Sequence, residues 1–387
     1  MNILLFTSEY NHPKLKASGG AGTFFKILAK ELVKKGHKVY VFGFGKEAIS
    51  FSDEGVFVSF NKNIKSNLLL KIAKRTLPVA KYNYLKGDFD RFLWAKQLKR
   101  FIKGKKIDII ETWDYRANFL YLDKIELPVI IRCHGSANVL KKYFGISLFD
   151  DAILKLEQKA FKRFHNIIAV SQYSRKINNE VFNKNNIKVI YNGINTDFFC
   201  PNTQISKIEQ SIFYFGTLAD NKGLKELVFI FNELIKTTPK ASLHLIGKGQ
   251  KYFDNLKSLF SKEALLRTTY YGVVDRALLP EILNKAHVFV FPTKGENFPF
   301  SFLEAMAMQK PVIVSNIEVS KEIISNNENG YIASSKEDFV KLINIIFKNN
   351  TDQVALRARK TIVDKFSVSQ MVDNTLNFYN KIIDEHK

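Results

Sequence analysis

Short apolar runs alternating with amphipathic stretches constrain this chain more than any other feature. Ile3 to Phe6 is the first such run, and a polar loop after it ends in Ser18-Gly19-Gly20-Ala21-Gly22. Ala21, Phe25, Leu28 and Leu32 then fall at spacings of four, three and four, one face of a helix. Gly36 fits the helix stop, and Lys38 to Phe42 reads as the next strand. Strand, helix and strand joined by short loops imply a parallel pair with a right-handed crossover. Further buried strands are expected over Ile107–Ile110, Pro128–Arg132, Ile167–Val170 and Lys188–Tyr191.

Turn chemistry interrupts the pattern at Asn192-Gly193-Ile194-Asn195-Thr196-Asp197 and continues through Pro201-Asn202-Thr203. The alternation then restarts. Strands are predicted over Ser211–Phe215, Ala241–Ile246, Thr269–Tyr271, His287–Phe291 and Pro311–Ser315, with helices over Leu224–Lys236, Pro280–Lys285 and Phe300–Gln309. A length of 387 residues accommodates two domains. The expected architecture is therefore α/β, two Rossmann-like domains facing across a cleft. Residues 1–200 form the N-terminal domain, 201–370 the C-terminal domain and 371–387 a final helix, with ligands at the carboxyl ends of the strands.

Composition narrows the function classes. Hydrophobic residues make up 46% and charged residues 25%, a packed globular balance and not a disordered one. Two cysteines, Cys133 and Cys200, cannot build a disulfide framework or a four-cysteine zinc site. No apolar run reaches the ~18 residues of a membrane span, and the N-terminus lacks the basic start of a cleaved signal. A reducing cytoplasm is the expected setting. The net charge of +22 favours anionic partners. Residues 61–106 hold fourteen Lys or Arg against two acids, Asp88 and Asp90. Apolar residues are interleaved there, including Leu68, Leu69, Leu70, Ile72, Phe89, Phe92, Trp94 and Phe101. Such a stretch can lie on an anionic membrane surface, or be the solvated face of helices over a core. Nucleic acid is not expected, because neither zinc-finger spacing nor an RNA-binding aromatic motif accompanies the charge.

The most informative stretch runs Phe291-Pro-Thr-Lys-Gly-Glu-Asn-Phe-Pro-Phe-Ser-Phe-Leu-Glu-Ala-Met. Pro299 fits a helix start, which leaves Glu296 on the loop and puts Glu304 in the first turns of the helix. Amides of Phe300, Ser301 and Phe302 are then free to bind an anion. A carboxylate can accept two hydrogen bonds from a vicinal diol. An anion site flanked by two such carboxylates suits a nucleotide sugar. The plainer alternative is one Glu on a helix dipole and one solvated loop Glu.

This stretch resembles the E-x7-E motif of the retaining glycosyltransferases called family 4 or group 1, which have the GT-B fold. The resemblance covers most of the chain, with its markers in order. Ser18-Gly19-Gly20-Ala21-Gly22 resembles the glycine loop after the first strand, and Arg132-Cys133-His134-Gly135 the strand-end His-Gly. Ala169-Val170-Ser171 and Val189-Ile190-Tyr191-Asn192-Gly193-Ile194 follow, then Phe215-Gly216-Thr217-Leu218, Lys222-Gly223, His244-Leu245-Ile246-Gly247-Lys248-Gly249 and Tyr271-Gly272-Val273. The resemblance implies that Glu304 accepts from the ribose hydroxyls, Glu296 holds the donor sugar and Lys222 neutralises the departing diphosphate. It implies phosphate-binding amides near Phe300 and Ser301, with Gly216, Thr217 and Phe298 also at the donor. His134 is expected beside the sugar ring, bonding a hydroxyl or donating through its backbone. Gly19 and Gly20 would let phosphate or acceptor approach the backbone. The last helix resembles the one that crosses back to the first domain in this family.

Thr217 departs from the family's usual Arg, and Lys294 or Arg276 is expected to compensate. Three decoys are set aside. Gly43-x-Gly45-x-x-Ala48 mimics a dinucleotide fingerprint but no long helical run follows it. Asp88-Phe89-Asp90 reads as a helix N-terminus. The seven histidines show no ligand spacing, so no metal is expected. The resulting expectation is transfer of a sugar, with UDP-sugar the favoured donor and no resident cofactor, to a lipid-linked glycan of cell-surface polysaccharide assembly. The enzyme would be cytoplasmic with peripheral contact at the inner face of the membrane. A nucleotide-sugar epimerase of similar fold and a non-catalytic nucleotide-sugar binder are the alternatives.

Overall fold

The computed structural model describes residues 1–16, 19–63, 73–146 and 149–386. Ser18 of the glycine loop and Leu68, Leu69, Leu70 and Ile72 of the basic stretch lie outside the described residues. The chain divides into two units, Met1–Asn192 with Met371–Lys387, and Gly193–Gln370.

Unit 1 begins with β1 (Asn2–Phe6), α1 (Gly20–Lys34) and β2 (Lys38–Gly45). β1 and β2 pair in parallel, Asn2 opposite Lys38 and Phe6 opposite Phe42. α1 buries Phe24, Phe25, Leu28 and Leu32. It ends because Gly36 adopts φ +82°, letting its N–H reach Val33 O at 2.9 Å and that of His37 reach Leu32 O at 3.1 Å. Two strands that the periodicity did not disclose come next, β3 (Ile49–Asp53) and β4 (Val56–Lys62), an antiparallel hairpin. Its turn is Glu54-Gly55, both at positive φ, the two-residue type that matches strand twist. The segment after Gly43-x-Gly45 is thus a hairpin.

The unit continues with α2 (Val79–Ile102), β5 (Ile109–Trp113), β6 (Val129–Cys133), α3 (Ala137–Phe144), α4 (Asp151–Phe161), β7 (Ile167–Ala169), α5 (Gln172–Phe182) and β8 (Ile187–Val189). Among the described residues the sheet order is β3-β4-β2-β1-β5-β6-β7-β8, parallel except for the β3–β4 pair. β5 lies two to three residues later than expected, because Ile107 and Asp108 lead into it while Glu111 and Thr112 are buried inside it. Asp88 and Asp90 sit in mid-helix and not at a helix start. Pro78 is the N-cap of α2, and the two aspartates pair with Lys159 (2.6 Å) and Lys86 (3.0 Å) along its side.

Unit 2 contains β9 (Ser211–Phe215), α6 (Leu224–Thr237), β10 (Ser242–Ile246), α7 (Gln250–Leu256), α8 (Lys262–Leu266), β11 (Thr268–Tyr270), α9 (Leu279–Asn284), β12 (Val288–Phe291), α10 (Phe300–Ala307), β13 (Val312–Ser315), α11 (Ser320–Ile323), β14 (Tyr331–Ala333), α12 (Lys336–Lys348) and α13 (Asp352–Lys365). Its sheet runs β11-β10-β9-β12-β13-β14, all parallel. Every residue of β9 and β12 is buried, as strands covered by helices on both faces require. The last helix, α14 (Val368–His386), has its residues from Met371 onward in unit 1.

Candidate active site

Because all six strands of unit 2 point the same way, the loops after β9, β10 and β12 gather at one end of the sheet. They are stitched by backbone hydrogen bonds: Gly216 N–H to Ile246 O (2.9 Å), Leu218 N–H to Lys248 O (2.8 Å) and Lys294 N–H to Asn221 O (3.0 Å). Two glycines make this closeness possible. Gly247 has φ +133°, and a Cβ there would lie 1.9 Å from Gly216 O. Gly223 has φ +72°, and a Cβ there would lie 1.8 Å from Pro292 O. No side chain fits either place, so these loops are built to let backbones touch.

Charged groups line the gathered loops. Lys222 Nζ donates to Glu296 Oε1, with both side chains largely buried. Thr293 Oγ1 donates to Asn221 O at 3.2 Å, fastening the strand end beside them. Glu304, on α10, is 6% exposed and accepts from Arg276 Nη2 at 3.2 Å. Burial pushes its carboxyl up to about 7, against the pull of Arg276. α10 starts after Pro299 with no side-chain cap and no acid in its first turn. Its first amides therefore lack a side-chain anion of their own. Arg359 fixes the other end, donating to Ala307 O at 2.6 Å and Phe199 O at 3.1 Å.

In unit 1 the strand ends form a second polar centre. Asp114 is fully buried just after β5 and accepts from the N–H groups of His134 (3.0 Å) and Gly135 (3.1 Å). Burial, with Glu157 nearby, raises its carboxyl to about 7. Glu157, also fully buried, accepts from Arg116 N–H (2.9 Å), Ala137 N–H (2.8 Å) and Asn138 N–H (2.9 Å), capping α3 from below. The His134 ring packs on Phe24 at 4.4 Å between centroids. Burial and the Arg132 charge lower it to about 3, so it is neutral at any physiological pH. Beneath it Arg132 and Glu111 form an ion pair with no exposure (2.7 Å), and α14 supplies Tyr379 Oη to Glu111 (2.6 Å) and Thr375 Oγ1 to Arg132 (3.1 Å).

The family model for glycosyl transferases group 1 matches residues 197–361, and that for glycosyltransferase family 4 matches residues 18–198. The chain belongs to the group 1 glycosyltransferases. A relative along nearly the whole length is an uncharacterized glycosyltransferase of Methanocaldococcus jannaschii, 24% identical, with 98% of each chain covered. The UDP-Gal:alpha-D-GlcNAc-diphosphoundecaprenol alpha-1,3-galactosyltransferase of Escherichia coli is 24% identical, over 73% of this chain and 77% of that one. Among solved structures, sucrose-phosphate synthase from Thermosynechococcus elongatus superposes with a TM-score of 0.79 at 17% identity, covering both chains fully. Anabaena HepE, solved in complex with UDP, gives 0.72 at 17% identity over 98% of this chain and all of that one. These likenesses show the GT-B fold.

For this glycosyltransferase the structure sorts the expected site residues into two groups. Gly216, Thr217, Lys222, Lys294, Glu296, Phe298, Phe300, Ser301 and Glu304 belong to unit 2, and Gly19, Gly20 and His134 to unit 1. Phe298 is 6% exposed, its ring packed on Phe366 at 5.5 Å. Both candidates for the missing Arg at Thr217 are engaged in ion pairs: Lys294 with Asp220 (2.8 Å) and Glu226 (3.3 Å), and Arg276 with Glu304. The backbone N–H of His134 is committed to Asp114, which leaves only its ring. The Gly19 amide donates to Glu9 at 2.9 Å, and a Cβ on Gly20 would meet nothing within 4 Å, so the fold itself does not demand glycine there. Sequence reading missed Asp114, Glu157, Glu111 and Tyr379. Asp114 directly follows β5, at the strand end where a site acid is expected; Glu157 sits on a helix of ordinary amphipathic pattern and carried no signal.

Proposed function

We propose that this glycosyltransferase moves a sugar from a nucleoside diphosphate, UDP favoured, to an acceptor hydroxyl with retention of anomeric configuration. The observation that carries the reading is the uncapped start of α10 set beside the Lys222–Glu296 pair and the buried Glu304. Glu304 would accept from the ribose diol, and the amides of Phe300 and Ser301 would hold the distal phosphate. Glu296 would take hydroxyls of the sugar. The diphosphate would leave on the face the acceptor attacks, with Lys222 exchanging Glu296 for the growing negative charge. A phosphate oxygen would receive the acceptor's proton. The neutral His134 ring could only donate or accept a hydrogen bond. HepE bound to UDP and to UDP-glucose supports the donor class.

A lipid-linked acceptor is supported by relatives whose names specify diphosphoundecaprenol substrates. It is also supported by the exposed side of α2. Lys81, Lys96, Lys99 and Arg100 are exposed there beside Leu85 and Phe92, each 41% exposed, while Arg91, Ala95 and Leu98 face inward. Among the described residues no helix is long and apolar enough to cross a membrane. The basic face would instead rest on an anionic surface. The deciding experiment is a thermal-shift screen of UDP, GDP, ADP and their sugar conjugates on wild type and Glu304→Ala, with NMR of the product anomer. A midpoint rise with one nucleotide, lost in the variant, and an axial product from an axial donor support the reading. No shift with any nucleotide refutes the donor site, and an inverted product refutes retention. Sedimentation with anionic vesicles at low salt tests the surface: protein left in the supernatant refutes it.

A further inference from the structure

The loops that carry Lys222 and Glu296 lie at the carboxyl end of the unit 2 sheet. A cavity of about 350 Å³ opens at the opposite end, where the neighbouring strands β9, β12 and β13 begin. Its floor is Ala286, His287 and Pro311, all buried, the residues just before β12 and β13. The turn between α12 and α13 closes one side. Phe347 forms a wall, its ring 5.0 Å from that of His287. The volume falls within the range of small-molecule pockets, which begins at roughly 300 Å³.

The charges around this cavity are unevenly matched. Lys207 pairs with Glu209 at 3.4 Å, and the same carboxylate lies 3.3 Å from His287 Nδ1. His287 is held below its ordinary value by burial and by Lys207, so its Nδ1 accepts from Gln210 N–H at 3.1 Å. Asp352 is exposed in the first turn of α13, where it complements the helix dipole. Lys310 and Lys348 have no carboxylate partner among the described residues. Lys348 is exposed at the end of α12, whereas Lys310 is half-buried, in the turn that Gln309 makes at φ 55° between α10 and β13. Burial lowers the Lys310 ammonium, and Lys207 lowers it further by more than Asp352 restores. The field in the cavity is therefore positive in spite of its two acids. A partly desolvated ammonium facing a second cation is unfavourable, and a bound anion would relieve it. Lysines act on phosphate as point charges, and Gln309 and Thr351 add uncommitted side-chain donors for its oxygens.

We propose that this cavity is a second ligand site, taking a small molecule that carries a phosphate group, with the phosphate on Lys310 and Lys348 and any attached ring along Phe347. Inorganic phosphate and an organic phosphate offer the same chemistry and differ in their use of Phe347. The site lies at the other end of the sheet from Glu296 and Lys222, so a bound nucleotide should leave it open. The inference does not depend on the glycosyl-transfer reading.

The full-length protein, saturated with UDP, is titrated calorimetrically with inorganic phosphate, phenyl phosphate and phenol. At least one phosphate should bind saturably, and the tighter of the two identifies the source. Lys310→Gln should weaken it by about 10- to 100-fold, the range of a lost hydrogen bond between charged groups. Lys348→Gln, at an exposed helix end where folding is not at stake, should weaken it less. Lys262→Gln makes the same charge change at an exposed place outside the cavity and should leave binding unchanged. Occupancy is also read on the unmutated protein by trace acetylation and mass spectrometry: the bound phosphate should slow acetylation of Lys310 and not that of Lys262. No saturable binding of either phosphate, phenol binding as tightly as phenyl phosphate, equal losses in Lys310→Gln and Lys262→Gln, or Lys310 acetylation that phosphate leaves unchanged overturns the proposal. Should UDP itself not bind, the donor reading falls, and protection of Lys310 still decides this one.

Discussion

Glu304 offers a quantitative test of the donor site, because its environment and its expected task pull its proton in opposite directions. Burial raises its carboxyl from 4.5 to about 7 despite Arg276 at 3.2 Å. The fold therefore prefers the protonated form. Stability from this group is greatest below pH 4.5 and declines as the pH rises through 7. At ~1.4 kcal/mol per pH unit, the loss across that window is about 3 kcal/mol. Binding a ribose diol needs the ionised form, which accepts twice. A group titrating near 7 is ionised roughly one-tenth of the time at pH 6 and roughly nine-tenths at pH 8. UDP should therefore bind wild type about tenfold more weakly at pH 6 than at pH 8 through this residue alone. Glu304→Gln is neutral at both pH values and should lose that dependence, while the titration of UDP's own phosphate remains in both proteins and cancels in the comparison. Calorimetric titration at the two pH values measures it. In denaturant unfolding the variant should be flatter with pH and more stable than wild type at pH 8, by up to about 3 kcal/mol. Equal pH ratios in the two proteins, or a variant less stable than wild type at pH 8, would refute the reasoning.

Four further outcomes are expected. Glu111→Ala leaves Arg132 buried without its carboxylate and should cost about 3–5 kcal/mol in urea unfolding; Tyr379→Phe should cost less, about 1.5–3 kcal/mol, for one hydrogen bond to a charged acceptor. Gly223→Ala should lower stability by more than about 1 kcal/mol, and should weaken UDP binding as well, since its Cβ would displace the Pro292 carbonyl that leads into the loop carrying Glu296. The His134 ring should show no NMR titration between pH 5 and 9, its pKa being held near 3, so no pH-rate limb in that range should vanish in His134→Gln.

The strand and helix alternation was legible because each element carries its own period. β1, β9, β12 and α6 fall where apolar runs and a helical stripe placed them. The β3–β4 hairpin went unread although Ile49–Asp53 alternates apolar and polar residues, because its turn is Glu54-Gly55, with a Glu at positive φ where Asn or Asp is the usual signal. In the loops of unit 2, the residue types were visible in the order of Lys222, Glu296 and Glu304. Their partners were not, since the ion pairs of Arg276 with Glu304 and of Lys294 with Asp220 join residues 28 and 74 positions apart. The α2 segment shows the same division: its net charge was countable, but which of its aromatics turn inward was not.

By itself the sequence determined what is local: the βα periodicity and the placement of Glu296 on a loop and Glu304 on a helix. Tertiary structure decided what depends on neighbours far along the chain. It paired Glu111 with Arg132 and with Tyr379, which lies 268 residues further along the chain. It buried Glu304 deeply enough to hold its proton near neutrality, and enclosed Asp114 against the amides of His134 and Gly135. The reason is physical. Backbone preference and apolar period act over a few residues, whereas desolvation, ion pairing and cavity shape exist only once distant segments have displaced water from one another.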